Sequence, residues 1–296
     1  MKKTIFFLLA NIAVLAVFTA CGPETRLDMV GMFVGTSPNI DDRFTESQEY
    51  NNTHGFAIVK SAVEDYRVYV CTDTHVANTQ VRWTQFVESY RKDLLCPVAI
   101  HLGDLIDAQN HYDEFYNAYK AVLENPIKPD TLMVVTGNHD IYFKQWPQFI
   151  ELFKTCTYYF VVETPSGKKD LYICYDTANG TVGNKQLDWL RATLEWADKQ
   201  DFRHIVTCTH THIFKRDGSQ GHCSNFSLEE TYSLLNLFTK HGVEMMWNGH
   251  DHCREITEVK GMTSIVVNSL TDEDTHPYYM QVTMGEKIDY EFVAVP

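Results

Sequence analysis

Five short polar signatures, spread between Asp73 and His252, constrain the fold of this chain more than any other feature of its sequence. Each lies next to an apolar run rich in Val, Ile, Leu or Met, and short apolar runs that end in turn residues are typical of buried strands. Polar side chains at the ends of adjacent strands can converge on one point of an open α/β sheet. The signatures are Asp73-Thr74-His75, Gly103-Asp104-Leu105-Ile106-Asp107, Gly137-Asn138-His139-Asp140, Thr209-His210 and Gly249-His250-Asp251-His252.

Amphipathic helical patterns alternate with the predicted strands. Apolar residues recur at helical spacing in stretches 83–94, 115–123, 187–197 and 228–241. Segments 158–162 and 171–175 flank the turn residues Pro165-Ser166-Gly167, and segments 278–284 and 288–295 flank Gly285, so both pairs predict β-hairpins. Helices between strands indicate an α/β protein, and the hairpins indicate mixed rather than purely parallel sheets.

The first 20 residues have the pattern of a signal peptide. Lys2 and Lys3 precede an apolar run, Ile5 to Ala20, that is slightly short for a membrane span of ~20 residues. Small residues before Cys21 resemble a bacterial lipobox, which predicts an exported cell-envelope lipoprotein (periplasm or outer membrane) anchored to the membrane by a lipid on Cys21. Ordinary secretory cleavage after Ala20, or an uncleaved anchor, are the alternatives.

Residues 21–66 are predicted to form an N-terminal extension packed on the main domain, residues 67–296. Within the extension, segment 28–35 could form a strand. The side chain of Arg43 could reach a substrate phosphate, but a surface ion pair with Asp41 or Asp42 is the favoured interpretation.

The net charge of −14 argues against a nucleic acid polymer as a partner. An acidic surface repels a phosphodiester polymer unless basic residues are concentrated locally, and the sequence has no run of Lys and Arg. A small molecule is therefore expected as the partner rather than a polymer.

The side chains of the five signatures are suited to divalent metal ions. Asp, His and Asn offer oxygen and nitrogen ligands for such ions, and the signatures contain too many of them for one tetrahedral ion. Asp104 could bridge two ions. Two ions ~3.5–4 Å apart can clamp the attacking and leaving oxygens of a displacement at phosphorus and lower the pKa of a bound water toward ~7.

The order and composition of the signatures resemble those of the calcineurin-like metallophosphoesterase family. Purple acid phosphatases of this family have Tyr at the position of Asp107 and no His at the position of His75. The non-purple branch is therefore the more similar. The resemblance implies a four-layer αββα sandwich of two mixed β-sheets flanked by helices. It also implies two divalent metal ions, with Mn, Fe, Zn, Co or Ni all suited to these ligands.

The resemblance also implies a role for each signature residue. One metal would be held by Asp73, His75 and His252, the other by Asn138, His210 and His250, with Asp104 bridging both. His139 would be the general acid, Asp140 would orient its ring, and Asp107 would accept a hydrogen bond near the ligands.

Several alternatives stay open at this level. His212 occupies a position where the family often has Pro, and it could line the substrate site, face solvent or bind metal. His101 is expected to be a buried, hydrogen-bonded His. Tyr142, Phe143 and Trp146 could stack on a base, with plain packing favoured. The predicted activity is hydrolysis of a small phosphorylated compound by a metal-activated hydroxide, as in a phosphodiesterase. The alternatives are a phosphomonoesterase or pyrophosphatase and, less favoured, a nuclease or a non-catalytic binding protein.

Overall fold

The computed structural model describes residues 38–77, 79–107, 111–123, 131–142, 145–214 and 226–295, with residues 118–123 as backbone alone. The helices are α1 (Ile40–His54), α2 (Val81–Lys92), α3 (Tyr112–Leu123), α4 (Trp146–Phe153), α5 (Asn184–Ala197) and α6 (Leu228–Lys240). The strands are β1 (Ala57–Lys60), β2 (Tyr66–Cys71), β3 (Val98–His101), β4 (Leu132–Val134), β5 (Tyr158–Glu163), β6 (Lys169–Cys174), β7 (Phe202–Cys208), β8 (Met245–Asn248), β9 (Glu255–Val259), β10 (Met262–Val266), β11 (Tyr278–Met284) and β12 (Ile288–Ala294).

The strands form two mixed sheets. The seven-stranded sheet has the order β1-β5-β6-β7-β8-β10-β9, and the five-stranded sheet has the order β12-β11-β2-β3-β4. Strands β2, β3 and β4 are parallel neighbours in the smaller sheet, as are β6, β7 and β8 in the larger one. Both predicted hairpins, β5–β6 and β11–β12, are confirmed as antiparallel pairs.

Three apolar cores separate four layers of secondary structure. The middle core contains the inner faces of both sheets, for example Val68 and Val70 of β2 against Tyr172 of β6. Alternate residues of the same strands point outward, so Tyr69 packs beneath α2 and Leu171 beneath α5 and α6. This alternation follows from the two-residue period of a strand whose two faces are both covered. The predicted αββα sandwich is confirmed.

Helix α1 lies in the segment that was hard to interpret from sequence. The side chain of Asn39 accepts a hydrogen bond from the backbone N–H of Asp42, and the helix ends at Gly55, whose φ is 73°. The helix packs against α5 and β5, and β1 extends the seven-stranded sheet. The expected strand at 28–35, the leader and Cys21 lie outside the described residues.

The predicted surface ion pair of Arg43 with Asp41 or Asp42 is wrong. The Arg43 side chain is fully buried, and its Nε donates to Oδ2 of Asp176 at 2.7 Å. Its two terminal nitrogens donate to the carbonyl of Pro38 and to Oδ1 of Asn179. The amphipathic turn of α1 directs this residue inward, so it joins α1 to the loop after β6 rather than reaching a substrate.

No helix among the described residues is long and apolar enough to span a membrane.

Candidate metal centre

All five polar signatures follow the carboxyl ends of parallel strands. The first three follow β2, β3 and β4 of the smaller sheet, and the last two follow β7 and β8 of the larger sheet. Because the two sheets are stacked, these two sets of strand ends meet at one edge of the sandwich. The convergence expected from the sequence is therefore present in the fold.

The backbone at this edge is strained. Five of the seven predicted ligands have a positive φ, although none of them is Gly: Asp73 (50°), His75 (42°), Asp104 (55°), His250 (75°) and His252 (51°). Left-handed conformations cost roughly 1–2 kcal/mol per residue. Such outliers persist only where the surroundings impose them, and they cluster at functional sites.

A first group of ligand atoms is formed by Asp73, His75 and His252. Nε2 of His252 lies 3.3 Å from Oδ1 of Asp73 and 3.2 Å from Nε2 of His75. Oδ2 of Asp104 is 3.7 Å from Nε2 of His75. The atoms of Asp73, His75 and His252 are close enough to contact one small cation, and Oδ2 of Asp104 borders this group.

A second group is formed by Asp104, His210, His250 and Asn138. Nε2 of His210 lies 3.3 Å from Oδ2 of Asp104 and 3.0 Å from Oδ1 of Asn138. Nδ1 of His250 is 3.2 Å from the same nitrogen of His210. Because Oδ2 of Asp104 borders both groups, one carboxylate oxygen stands where a bridge between two cations would be.

Two buried carboxylate oxygens in these groups have no hydrogen-bond partner among the described residues, namely Oδ1 of Asp73 and Oδ2 of Asp104. The other oxygen of each carboxylate is used by the protein. Oδ2 of Asp73 accepts from Thr72 and from the N–H of His250, and Oδ1 of Asp104 accepts from the N–H of His139. His252 and His210 lie 3.3 Å from the two unpartnered oxygens without a hydrogen bond to them. A buried carboxylate oxygen that accepts no hydrogen bond is costly. The donor set therefore fits divalent cations.

The ring of His210 is oriented by the backbone. Its Nδ1–H donates to the carbonyl of Leu102 at 2.8 Å, so Nε2 points toward Asp104 and Asn138. Burial alone would lower the pKa of His210, but the carboxylates of Asp104 and Asp73 raise it to about 10. A cation bound between these groups would displace the proton on Nε2.

Two glycines of the signatures allow the β3 and β4 loops to meet. A Cβ on Gly137 would collide with the backbone N and the Oδ1 of Asp104, and a Cβ on Gly103 would lie 2.6 Å from the N of Gly137. Gly103 also has a φ of 98°, which L side chains rarely adopt. These glycines therefore fix the distance between Asp104 and Asn138.

Substitution Gly137→Ala is expected to push these two loops apart. The added methyl group would displace Asp104, so we expect loss of bound metal and at least a ~10-fold loss of activity. Metal content per chain after desalting measures this effect. Gly285→Ala, in the β11–β12 turn, is the matched control, because φ is not positive there and the added Cβ would lie no closer than 3.3 Å to the exposed side chain of Asp65. Unchanged metal content in Gly137→Ala would contradict the packing argument.

The ring of His139 is held differently from the expectation. Its Nδ1 lies 2.8 Å from the backbone carbonyl of Asp107, and its buried Nε2 has no hydrogen-bond partner among the described residues. The side chain of Asp107 is 55% exposed, with Oδ1 3.9–4.0 Å from Nδ1 of both His75 and His139. His75, Asp104 and His139 also form a third group of potential metal ligands.

The prediction that Asp140 orients the His139 ring is wrong. The carboxylate of Asp140 instead accepts backbone N–H groups of Asp104, Leu105 and Gly137 at 2.8–3.2 Å. The hydroxyl of Tyr112 adds a fourth donor. Because the loops after β3 and β4 lie close together, their backbone amide groups, and not the ring of His139, occupy the acceptor positions of this carboxylate. Asp140 thus ties the two loops together beneath the ligands.

Two other His residues, His101 and His212, make structural contacts. His101 is buried and satisfied as predicted, since Nδ1 accepts from the N–H of Gly103 and Nε2 contacts Thr74, and burial lowers its pKa to about 3. His212 was expected to face solvent or substrate, but it is buried with Nε2 2.7 Å from Oδ2 of Asp251. This pair joins the β7 and β8 loops.

The aromatic residues after the third signature pack in the core. Tyr142 is 5% and Trp146 2% exposed, and Nε1 of Trp146 donates to Glu46 of α1. Phe143 lies outside the described residues. The packing interpretation is therefore confirmed for Tyr142 and Trp146.

A cleft with a volume of about 410 Å³ opens beside the first ligand group. It is lined by His75, His139, His252 and Asp107, by Ala77 and Thr79, and by the loop of residues 271–274 after β10. That loop was not among the functional residues predicted from the sequence. The acidic run Asp272-Glu273-Asp274, soon after a predicted strand, was the signal that could have indicated it.

Comparison with known proteins identifies the family to which this site belongs. The family model described as calcineurin-like phosphoesterase matches residues 66–254, which contain all five signatures. The chain belongs to the calcineurin-like phosphoesterase family. The family is metal-dependent, which agrees with the groups of potential metal ligands at this edge of the sandwich.

A curated relative and two solved structures are similar to the chain. A "Manganese-dependent ADP-ribose/CDP-alcohol diphosphatase" of Arabidopsis thaliana is 29% identical over 135 residues, 42% of this chain and 41% of the relative. The match thus spans less than half of that relative's length. The structure of GAP50, "the anchor in the inner membrane complex of Plasmodium", has a TM-score of 0.57 at 17% identity, covering 78% of this chain and 84% of that one. PhoD has a TM-score of 0.55 at 10% identity, covering 80% and 67%. These two likenesses concern the fold alone.

Proposed function

We propose that this phosphoesterase uses two divalent ions to hydrolyse a small phosphodiester. The observation that carries the proposal is the position of Oδ2 of Asp104, unpartnered among the described residues and bordering both ligand groups. Asp73, His75 and His252 would hold one ion and Asn138, His210 and His250 the other. When bound, such ions supply Lewis-acid activation of the phosphoryl oxygens and of a nucleophilic water.

The residues of the chain perform the remaining tasks. The peptide N–H of His139 holds Oδ1 of Asp104, so the free oxygen of that carboxylate is aimed between the two groups. The carbonyl of Asp107 fixes the ring of His139, a residue that lines the cleft, and leaves its Nε2 without a hydrogen bond among the described residues. A proton on Nε2 can be donated to the leaving alkoxide, which makes His139 the proposed general acid.

A second candidate activity is hydrolysis of a diphosphate. It is supported by the similarity to the Arabidopsis relative, which is named as a diphosphatase for ADP-ribose and CDP-alcohols. A phosphomonoesterase would use the same ligand set. The difference among the three lies in what the cleft accepts beside the phosphoryl group.

The activity is tested with the manganese-loaded protein and four substrates: p-nitrophenyl phosphate, bis-p-nitrophenyl phosphate, ADP-ribose and a CDP-alcohol. We expect turnover of the diester to exceed that of the monoester by at least ~10-fold. Faster turnover of the monoester would indicate a phosphatase, and turnover restricted to the last two substrates would indicate a diphosphatase. Absence of turnover with two ions bound would favour the binding-protein alternative.

We also propose that the chain is exported and anchored by a lipid on Cys21. The support comes from the sequence alone: small residues and Cys21 stand where the apolar run ends.

Substitution Cys21→Ser is expected to abolish incorporation of labelled fatty acid and to release the protein from the membrane fraction, because the thiol is the acylated atom. Autoradiography of the immunoprecipitated protein measures the incorporation. Cys253→Ser, which leaves the leader unchanged, is the control. Equal labelling of Cys21→Ser and the native protein would refute the anchor.

A further inference from the structure

The cleft beside the first ligand group has an acidic wall. Four of its lining residues are acidic: Asp107, Asp272, Glu273 and Asp274. Among the lining residues that the structure describes, none is Lys or Arg. The Nη1 of Arg82 donates to the carbonyl of Thr271, which belongs to the same wall.

The loop of residues 271–274 is held in place by hydrogen bonds. Asp272 accepts the backbone N–H groups of Val81 and Arg82 at the start of α2, both at 3.0 Å. Asp274 accepts from the hydroxyl of Ser269 and the N–H of His276. Glu273, between these two anchored residues, is exposed at the cleft. The wall is therefore a fixed feature with at least one accessible carboxylate.

A second, independent feature of the same cleft is the ring of His139. His139 is 6% exposed, and its Nε2 has no hydrogen-bond partner among the described residues although it lines the same cleft. In the proposed reaction this nitrogen meets the oxygen of the leaving alcohol. The rest of that alcohol must then occupy the cleft that Glu273 and Asp272 border.

We propose that the leaving alcohol of the substrate carries an alkylammonium group, which the acidic wall recognises. The inference rests on the proposed function and specifies its substrate class. Carboxylates attract an ammonium group and repel a second phosphate or carboxylate, and the attraction is partly screened in an open cleft. In the reaction, water adds its oxygen to phosphorus, the P–O bond to the amino alcohol breaks, and the alcohol leaves with a proton from His139. The proton that the water loses returns to His139.

The test uses two substrates that differ only in charge. Methyl phosphocholine and methyl 3,3-dimethylbutyl phosphate have the same shape, because a carbon replaces the quaternary nitrogen. Both substrates compete for the metal-loaded protein, and proton NMR of the released choline and 3,3-dimethylbutanol after chelation gives the ratio of their kcat/KM values for release of the larger alcohol. We expect a ratio of about 10 in favour of the cation at low salt, falling as ionic strength rises.

Variants of Glu273 assign this preference to the wall. Glu273→Gln is expected to lower the ratio about threefold, and Glu273→Lys to lower it further, with little change for the neutral substrate. Glu195→Gln, an equal charge change on the exposed face of α5, should leave the ratio unchanged. A native ratio near 1, or a ratio unaffected by Glu273→Lys, would overturn the inference.

A binding measurement separates this inference from the proposed activity. Titration calorimetry of the metal-loaded protein with trimethyl(3-phosphonopropyl)ammonium and with 4,4-dimethylpentylphosphonate needs no turnover. Tighter binding of the cationic phosphonate, reduced by Glu273→Lys, supports the wall even if no ester is hydrolysed. Equal affinities, or binding of neither phosphonate, would overturn it. Failure of hydrolysis alone would refute only the proposed function.

Discussion

Substitution Asp104→Asn is expected to reduce the metal content of the protein below two ions per chain and to lower kcat/KM by at least ~100-fold. The amide oxygen can still accept the N–H of His139, so the loop keeps its position. The amide nitrogen then stands where Oδ2 borders both ligand groups, and it donates hydrogen bonds instead of binding cations. Substitution of a residue that only supports a metal ligand typically lowers metal affinity or activity about 10–100-fold. Loss of a bridging ligand is therefore expected to lower kcat/KM further.

Elemental analysis of the desalted protein and kinetics with bis-p-nitrophenyl phosphate measure these two effects. Asp113→Asn, an equal charge change on an exposed position of α3, is the control for handling and net charge. Near-native circular dichroism of Asp104→Asn would show that the fold is retained. Two ions per chain together with native activity would refute the bridging role.

Substitution His139→Ala is expected to retain both metal ions but to slow hydrolysis of alkyl esters by about 10²–10⁴-fold. The backbone N–H of residue 139 remains, so the contact to Asp104 is preserved. Esters of p-nitrophenol should be much less affected, because that alcohol leaves without needing a proton. The dependence on the leaving group separates a proton donor from a residue that only shapes the cleft.

The experiment measures the rates at which the native protein and His139→Ala hydrolyse methyl, phenyl and p-nitrophenyl esters. Metal content is measured on the same samples, because His75, Asp104 and His139 also lie close enough to share a cation. Loss of an ion in His139→Ala would make this residue a ligand. An equal loss of rate for all three leaving groups would remove its role as general acid.

Much of the fold and of the ligand cluster could be predicted from the sequence. Hairpins, helices and strand ends depend on local periodicity and turn residues, and a single strand period decides which face of β6 meets the other sheet. The convergence of His210 and Asn138 follows once both are placed at strand ends. These features need no knowledge of how the loops pack.

The contacts that sequence reasoning missed all depend on tertiary approach. Asp140 binds backbone amides of two loops, and nothing in its neighbouring residues specifies those amides. Arg43 is buried by a partner 133 positions away, Asp176. His212 pairs with Asp251 rather than facing the cleft. In each case the side chain is polar, and its partner is determined by packing rather than by spacing.

The division of the ligands between the two sheets has a consequence for stability. Asp73 and His75 extend from the smaller sheet and His252 from the larger one, while Asn138 and His210 are divided in the same way. Each bound ion would therefore link the smaller sheet to the larger one, and unfolding would require release of the ion. Ligand linkage adds about 2.7 kcal/mol at a free metal concentration 100 times Kd. We expect the melting temperature to rise with metal concentration and to fall on chelation. After chelation, the edge of the sandwich that carries the ligands should unfold first.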